Sequence, residues 1–137
     1  MDVESTQQSS YFIIEFNELA DDRGSLVALE GNTHIPFDIK RVFYIYNSDD
    51  SVIRGCHANR NSKFVLIALR GSVKITLCTP QKRRDVIVLS HPHTGLYLDK
   101  MVWKEMSNFS KDCILLVLSS ELYDKEEYVY EKEFFES

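Results

Sequence analysis

The sequence predicts an all-β fold, a sandwich or barrel of short strands, on three observations. The apolar runs are short and rich in Val, Ile, Phe and Tyr; turn signals separate them at sandwich-like intervals; and Pro36, Pro80 and Pro92 all fall between runs, where a missing N–H costs nothing. Candidate strands cover 11–16, 25–29, 41–46, 52–57, 64–69, 73–77, 85–89, 95–98 and 113–118. Asp21-Asp22-Arg23-Gly24 and Asn47-Ser48-Asp49-Asp50 supply residues that tolerate turn conformations, and Arg70-Gly71 between two β-rich runs reads as a tight hairpin. Residues 123–135 are dense in Glu, Lys and aromatics, and Leu122, Val129 and Phe134 break clean alternation, so this segment reads as a short C-terminal helix or irregular tail with a solvated charged face. Residues 1–10 read as a mobile segment, unless the first strand pairs with a neighbouring subunit, and 11–137 as one domain without repeat or linker.

A chain of 137 residues, 44% hydrophobic, is long enough for one core and too short for two ordinary domains. The formal charge of −5 argues against a nucleic-acid or anionic-membrane partner, which would need a field of opposite sign, but leaves room for a local basic pocket. Cys56, Cys78 and Cys113 are odd in number and lack paired spacing, and the first ten residues are polar, so free thiols and a cytoplasmic location are expected. The longest apolar run, 113–118, falls far short of the roughly 20 residues that cross a bilayer.

The chemistry centres on His57, at the end of Val52-Ile53-Arg54-Gly55-Cys56-His57. Strand alternation puts Gly55, His57 and Asn59 on one face, with Arg54 at the strand's entrance. If that face looks into the barrel, a titratable ring points into a cavity, beside a glycine that lets a ligand approach closely.

A β-strand carrying Arg-Gly-x-His, a short polar loop (Ala58-Asn59-Arg60-Asn61-Ser62) and a second strand entered through Lys63 resembles the first cupin motif, most closely that of sugar-nucleotide epimerases and isomerases. With Asp22-Arg23-Gly24-Ser25-Leu26, Ile35-Pro36-Phe37, Lys40-Arg41-Val42-Phe43-Tyr44, Gly95-Leu96-Tyr97 and Val102-Trp103-Lys104-Glu105-Met106, the chain from about 11 to 130 is similar to the dTDP-4-dehydro-6-deoxyglucose 3,4-ketoisomerases, the FdtA, QdtA and WxcM-like group. The resemblance implies a double-stranded β-helix jelly roll, a homodimer that exchanges N-terminal strands, and a dTDP-linked 4-keto-6-deoxy sugar as substrate. It implies a cofactor-free shift of the keto group from C4 to C3, serving 3-amino-3,6-dideoxy sugars of surface glycans such as lipopolysaccharide O-antigen. By the same resemblance His57 is the catalytic histidine, Arg54 binds the diphosphate, and Lys63 sits near the developing enediolate.

The sequence departs from that pattern at Asn59, where the family commonly has a second histidine, and at Lys104, where a histidine often follows the tryptophan. A tyrosine, Tyr44 or Tyr46, is the candidate for the missing proton carrier; the two share one face of 41–46, with Arg41, Phe43 and Ile45 on the other, and the sequence leaves open which face is inward. A diphosphate bound by a net-acidic protein needs a cationic clamp, for which Arg54 and Arg41 come first, with Arg23 and Arg60 behind. Asn59 and Lys104 are expected beside the substrate, Arg23 and Lys104 as candidates for setting the C4 configuration, and Trp103 for stacking on thymine or lining the sugar pocket. No catalytic metal is expected, since His-x-Asn at 57 and 59 and a lysine at 104 do not make a cupin ligand set. His34, His91 and His93 read as surface residues. The alternatives are a related 3,5-epimerase, a non-catalytic sugar-nucleotide-binding cupin and, least supported, a metal-dependent cupin.

Overall fold

The computed structural model describes residues 10–136. Twelve strands follow in order: β1 (Tyr11–Glu15), β2 (Glu18–Asp21), β3 (Gly24–Val27), β4 (Arg41–Ile45), β5 (Arg54–Asn59), β6 (Phe64–Arg70), β7 (Val73–Cys78), β8 (Arg84–Leu89), β9 (Thr94–Leu98), β10 (Trp103–Ser107), β11 (Ile114–Ser119) and β12 (Tyr128–Val129). They form two five-stranded antiparallel sheets, ordered β1-β9-β6-β11-β4 and β12-β5-β10-β7-β8, and a separate β2-β3 hairpin. The architecture is the expected all-β jelly roll, with the strands predicted from the sequence present at shifted ends. The expectation for residues 1–10 lies outside the described residues except at Ser10, whose carbonyl accepts from the Asp99 N–H at 2.8 Å.

The two sheets face each other across the main core, where Phe64, Leu66, Ala68, Leu115 and Val117 of the first meet Ile75, Leu77 and Met106 of the second. β6 is apolar on both faces because both are covered: Val65 and Ile67 point outward under a second cluster with Phe16, Ile35 and Phe37. At the hairpin after β6, Gly71 has φ +71°, and a Cβ there would lie 2.9 Å from the Cα of Cys113, so glycine is required.

Three strands were not anticipated: β2, β10 and β12. β10 hides its alternation because a lysine, Lys104, points inward, while its neighbours Trp103 and Glu105 bond to each other outside, Nε1 donating to Oε2 at 2.9 Å. β12 is only two residues long. The C-terminal segment contains no α-helix: it is a strap of two 3-10 turns, Lys125–Glu127 and Lys132–Phe135, flanking β12. It packs on the outer face of the second sheet, Phe135 against Trp103 with centroids 5.6 Å apart and Lys132 Nζ 3.1 Å from Glu105 Oε2. No helix among the described residues is long and apolar enough to cross a membrane.

Candidate active site

Between the sheets lies a cavity of about 250 Å³. Arg41, Phe43 and Ile45 of β4, Phe64 and Leu66 of β6 and Val117 of β11 make one wall. Arg54, Gly55 and His57 of β5, Lys104 and Met106 of β10 and Tyr128 of β12 make the other. The first wall is apolar apart from Arg41; the second carries the titratable groups.

A bulge in β5 builds the second wall. His57 pairs with Lys104 and Gly55 with Glu105, which leaves Cys56 as the extra residue, and Gly55 and Cys56 sit at φ +84° and +60°. Such a bulge re-aims the side chains around it, and here Arg54, Gly55 and His57 all reach the cavity. The space beside Gly55 is tight: a Cβ would come within 3.0 Å of the Lys104 carbonyl oxygen and 3.1 Å of Met106 Cε.

His57 packs against a pair of stacked aromatic rings, 4.6 Å from Tyr128 and 6.1 Å from Tyr130 by centroid. Its Nδ1 is buried and has no partner among the described residues. Burial, and then the positive charge of Lys104, push its pKa down to about 4, so the ring is neutral at pH 7 and free to accept a proton.

Lys104 is 5% exposed. Its Nζ donates to Asn59 Oδ1 at 3.2 Å and lies 4.7 Å from the Phe64 ring centroid. The Asn59 amide in turn donates to Glu127 Oε2 at 3.1 Å, and Glu127 Oε1 accepts from the N–H groups of Asn61 (2.8 Å) and Ser62 (2.9 Å). The Ser62 hydroxyl completes the carboxylate's coordination. Burial lowers the Lys104 pKa to about 7, with Glu127 opposing the shift. Burial works to raise the Glu127 pKa, but the hydrogen bonds from Ser62, Asn61 and Asn59 outweigh it and hold the carboxyl below its usual range. The cavity therefore presents three basic side chains, Arg41, Arg54 and Lys104, and a neutral histidine, with no carboxylate on its walls among the described residues.

The family model "FdtA: WxcM-like, C-terminal" matches residues 9–137. The chain belongs to this family. A curated TDP-4-oxo-6-deoxy-alpha-D-glucose-3,4-oxoisomerase of Aneurinibacillus thermoaerophilus is 43% identical over 117 residues, covering 85% of this chain and 84% of the relative. Among solved structures, the TDP-fucose-3,4-ketoisomerase WlaRA of Campylobacter jejuni is 46% identical with a TM-score of 0.87, covering 93% of each chain. A histidine-to-asparagine variant of the 3,4-ketoisomerase QdtA of Thermoanaerobacterium thermosaccharolyticum, in complex with TDP-4-keto-6-deoxyglucose, is 43% identical with a TM-score of 0.87, covering 92% of this chain and 91% of the other.

In this member of the FdtA family, the candidates His57, Arg54, Arg41 and Lys104 line the cavity, and Asn59 stands one hydrogen bond behind it. The other candidates do not line it. Tyr44 and Tyr46 are 62% and 58% exposed on the outer face of β4, stacked on each other at 6.1 Å, because the inward face belongs to Arg41, Phe43 and Ile45. Lys63 precedes Phe64, which points inward, so alternation turns the lysine away, and its backbone N–H and C=O are both engaged by Ser120. Trp103 alternates with Lys104 and is buried on the far side of the sheet, where it packs on Phe135 and cannot reach this cavity. Arg23 lies in the β2-β3 turn, paired with Asp21 at 2.8 Å, and Arg60 is exposed; neither is a wall residue.

The structure adds Tyr128 and Glu127, which sequence reasoning missed. The available signal was the alternation Tyr128-Val129-Tyr130, with Val129 buried and a tyrosine on either side. His91 and His93 stack on each other at 5.4 Å by the β8-β9 connection, and among the described residues no three His, Cys, Asp or Glu side chains converge as metal ligands.

Proposed function

We propose that this chain is a sugar-nucleotide 3,4-ketoisomerase that converts dTDP-4-dehydro-6-deoxy-D-glucose to the dTDP-3-dehydro-6-deoxyhexose. The observation that carries the reading is the cavity itself, a neutral His57 among three basic side chains with no carboxylate among the described wall residues of a net-acidic protein. Such a site suits an anionic substrate and an anionic intermediate. Its family membership supplies the reaction class.

The reaction moves a carbonyl between neighbouring carbons. His57 takes the proton from C3, the electron pair closes a C3–C4 double bond, and the negative charge settles on O4 as an enediolate. C4 then receives a proton as O3 becomes the carbonyl. C3 is oxidised and C4 reduced within one molecule, so no external electron acceptor enters. A positioned histidine contributes roughly 10²–10⁴ in rate to such a transfer, and a preorganised donor to the enediolate oxygen about 3–4 kcal/mol. Arg54 and Arg41 form the diphosphate clamp, where paired N–H groups match phosphate oxygens. Tyr128 packs its ring against His57 and helps to hold the imidazole in place.

The wider setting belongs to the same proposal: a single 11–137 domain acting as a homodimer in the cytoplasm, supplying 3-amino-3,6-dideoxy sugars for surface glycans. The test is to incubate the protein with dTDP-4-dehydro-6-deoxyglucose in D₂O and follow the sugar by NMR, with His57→Asn as control. A 3-keto product with deuterium at C4, lost in the variant, supports the reading. Folded protein that binds the nucleotide yet neither exchanges nor isomerises the sugar would make it a binding module.

A further inference from the structure

We propose that Lys104 is the second proton carrier of the isomerisation, passing protons to and from the sugar oxygens while His57 serves the carbons. This rests on the ketoisomerase reading and goes beyond it. His57 cannot complete the reaction alone: besides the proton moved from C3 to C4, one must arrive on O4 and one must leave O3. Of the cavity's cations, the two arginines do not release a proton in the working range. Tyr44 and Tyr46 face outward, and Tyr128 has its ring packed against His57. Lys104 remains, directly across from His57 in the β5-β10 pairing and aimed into the same cavity.

Its surroundings suit the role. The groups facing it are His57 and Arg54 from β5, Arg41 from β4, the Phe64 ring from β6, Tyr128 from β12, and Glu127, whose charge reaches it through Asn59. The Asn59 carbonyl oxygen accepts one N–H of the amine, which fixes its direction without a direct carboxylate partner that would hold it permanently charged. Burial brings the amine's pKa to about 7, where ammonium and amine are both populated.

The cycle balances. His57 takes the C3 proton as the Lys104 ammonium gives one to O4, leaving a neutral enediol. The Lys104 amine then takes the O3 proton as the His57 imidazolium returns one to C4, and both groups end as they began. The transfers reinforce each other, because the Lys104 charge is one cause of the weak basicity of His57. A proton leaving the lysine makes the histidine a better base at the moment it is needed.

Lys104→Arg keeps the charge and loses the exchangeable proton, so it separates the two roles. With dTDP-4-dehydro-6-deoxyglucose in D₂O, this variant is expected to bind TDP, still to admit deuterium at C3 through His57, and to form 3-keto product at least about 10²-fold more slowly. Lys104→Gln, which fits the site without a charge, should lose product formation as well. The wild-type rate should fall as pH rises through about 7, where the Lys104 ammonium is lost, and fall again as pH drops through about 4, where His57 is protonated, a profile that requires no variant to fold. Product formation by Lys104→Arg within tenfold of wild type, C3 exchange falling in step with isomerisation, or a flat pH profile through 7 would each overturn the role. A wild-type protein that binds TDP but neither exchanges nor isomerises the sugar sinks the ketoisomerase reading instead.

Discussion

The side-chain amide of Asn59 donates to Glu127 across 3.1 Å, joining a residue two positions from His57 to one that precedes Tyr128. Through this bond and its partners the strap is tied to the β5-β6 turn. Glu127→Gln keeps the shape but replaces an acceptor-only group with an amide, whose N–H₂ must face a donor. A loss of about 1–3 kcal/mol is expected by thermal or denaturant unfolding. Because Glu127 opposes the lowering of the Lys104 pKa, the variant should also shift the pH optimum to lower pH.

Lys104 leaves its own signature in stability. Its native pKa, about 7, lies below its ordinary value of 10.5, so between these values the unfolded chain binds more protons and stability rises with pH. Below pH 7 both states are protonated and the burial of the charge is felt in full. Urea unfolding from pH 7 to 10 should show wild type gaining on Lys104→Met; parallel curves would contradict the buried cation.

His57 acts in the same direction at lower pH. Its native pKa of about 4 against 6.5 makes its contribution fully present above 6.5 and lost as pH falls toward 4. Unfolding of His57→Asn should therefore depend less steeply on pH than wild type between 6.5 and 4.

Tyrosine substitutions distinguish the two walls. Tyr128→Ala is expected to reduce kcat/KM by at least about tenfold, through loss of the ring that holds His57. Tyr44→Phe and Tyr46→Phe, outside the cavity, should stay within about twofold, in keeping with surface changes away from the site.

Phe135 is fully buried against Trp103, so Phe135→Ala should cost about 3–5 kcal/mol. Lys132→Ala removes only two partly exposed ion pairs, to Glu105 and Glu136, and should cost under about 1 kcal/mol. Unfolding midpoints of the two variants check the ranking.

Much of the barrel was legible because its strands obey a period of two and its turns carry Gly, Asp and Asn. The central chemistry was legible for the same reason, since Arg54, Gly55 and His57 form one short run. What escaped were features that periodicity does not encode. The face of β4 is decided by which side looks across the core at the β12-β5-β10-β7-β8 sheet, and Tyr44-x-Tyr46 and Arg41-x-Phe43-x-Ile45 alternate equally well. β10 carries its cation inward, against the usual binary pattern, because Asn59 and Glu127 arrive from elsewhere to satisfy it. Trp103, a candidate for the ligand by sequence, instead has Phe135 as its neighbour, 32 positions away, a pairing that only the tertiary structure reveals.

The strap has one more consequence. Asn59 and Glu127 are 68 positions apart, so their bond closes one of the longer loops in the chain, and such contacts form only after local hairpins such as β7-β8 have repaid their smaller entropic cost. During refolding, β-sheet signal should therefore appear before Tyr128 settles on His57, and the ability to hold a nucleotide sugar should come last. The molecule is expected to acquire its architecture and its competence at different times.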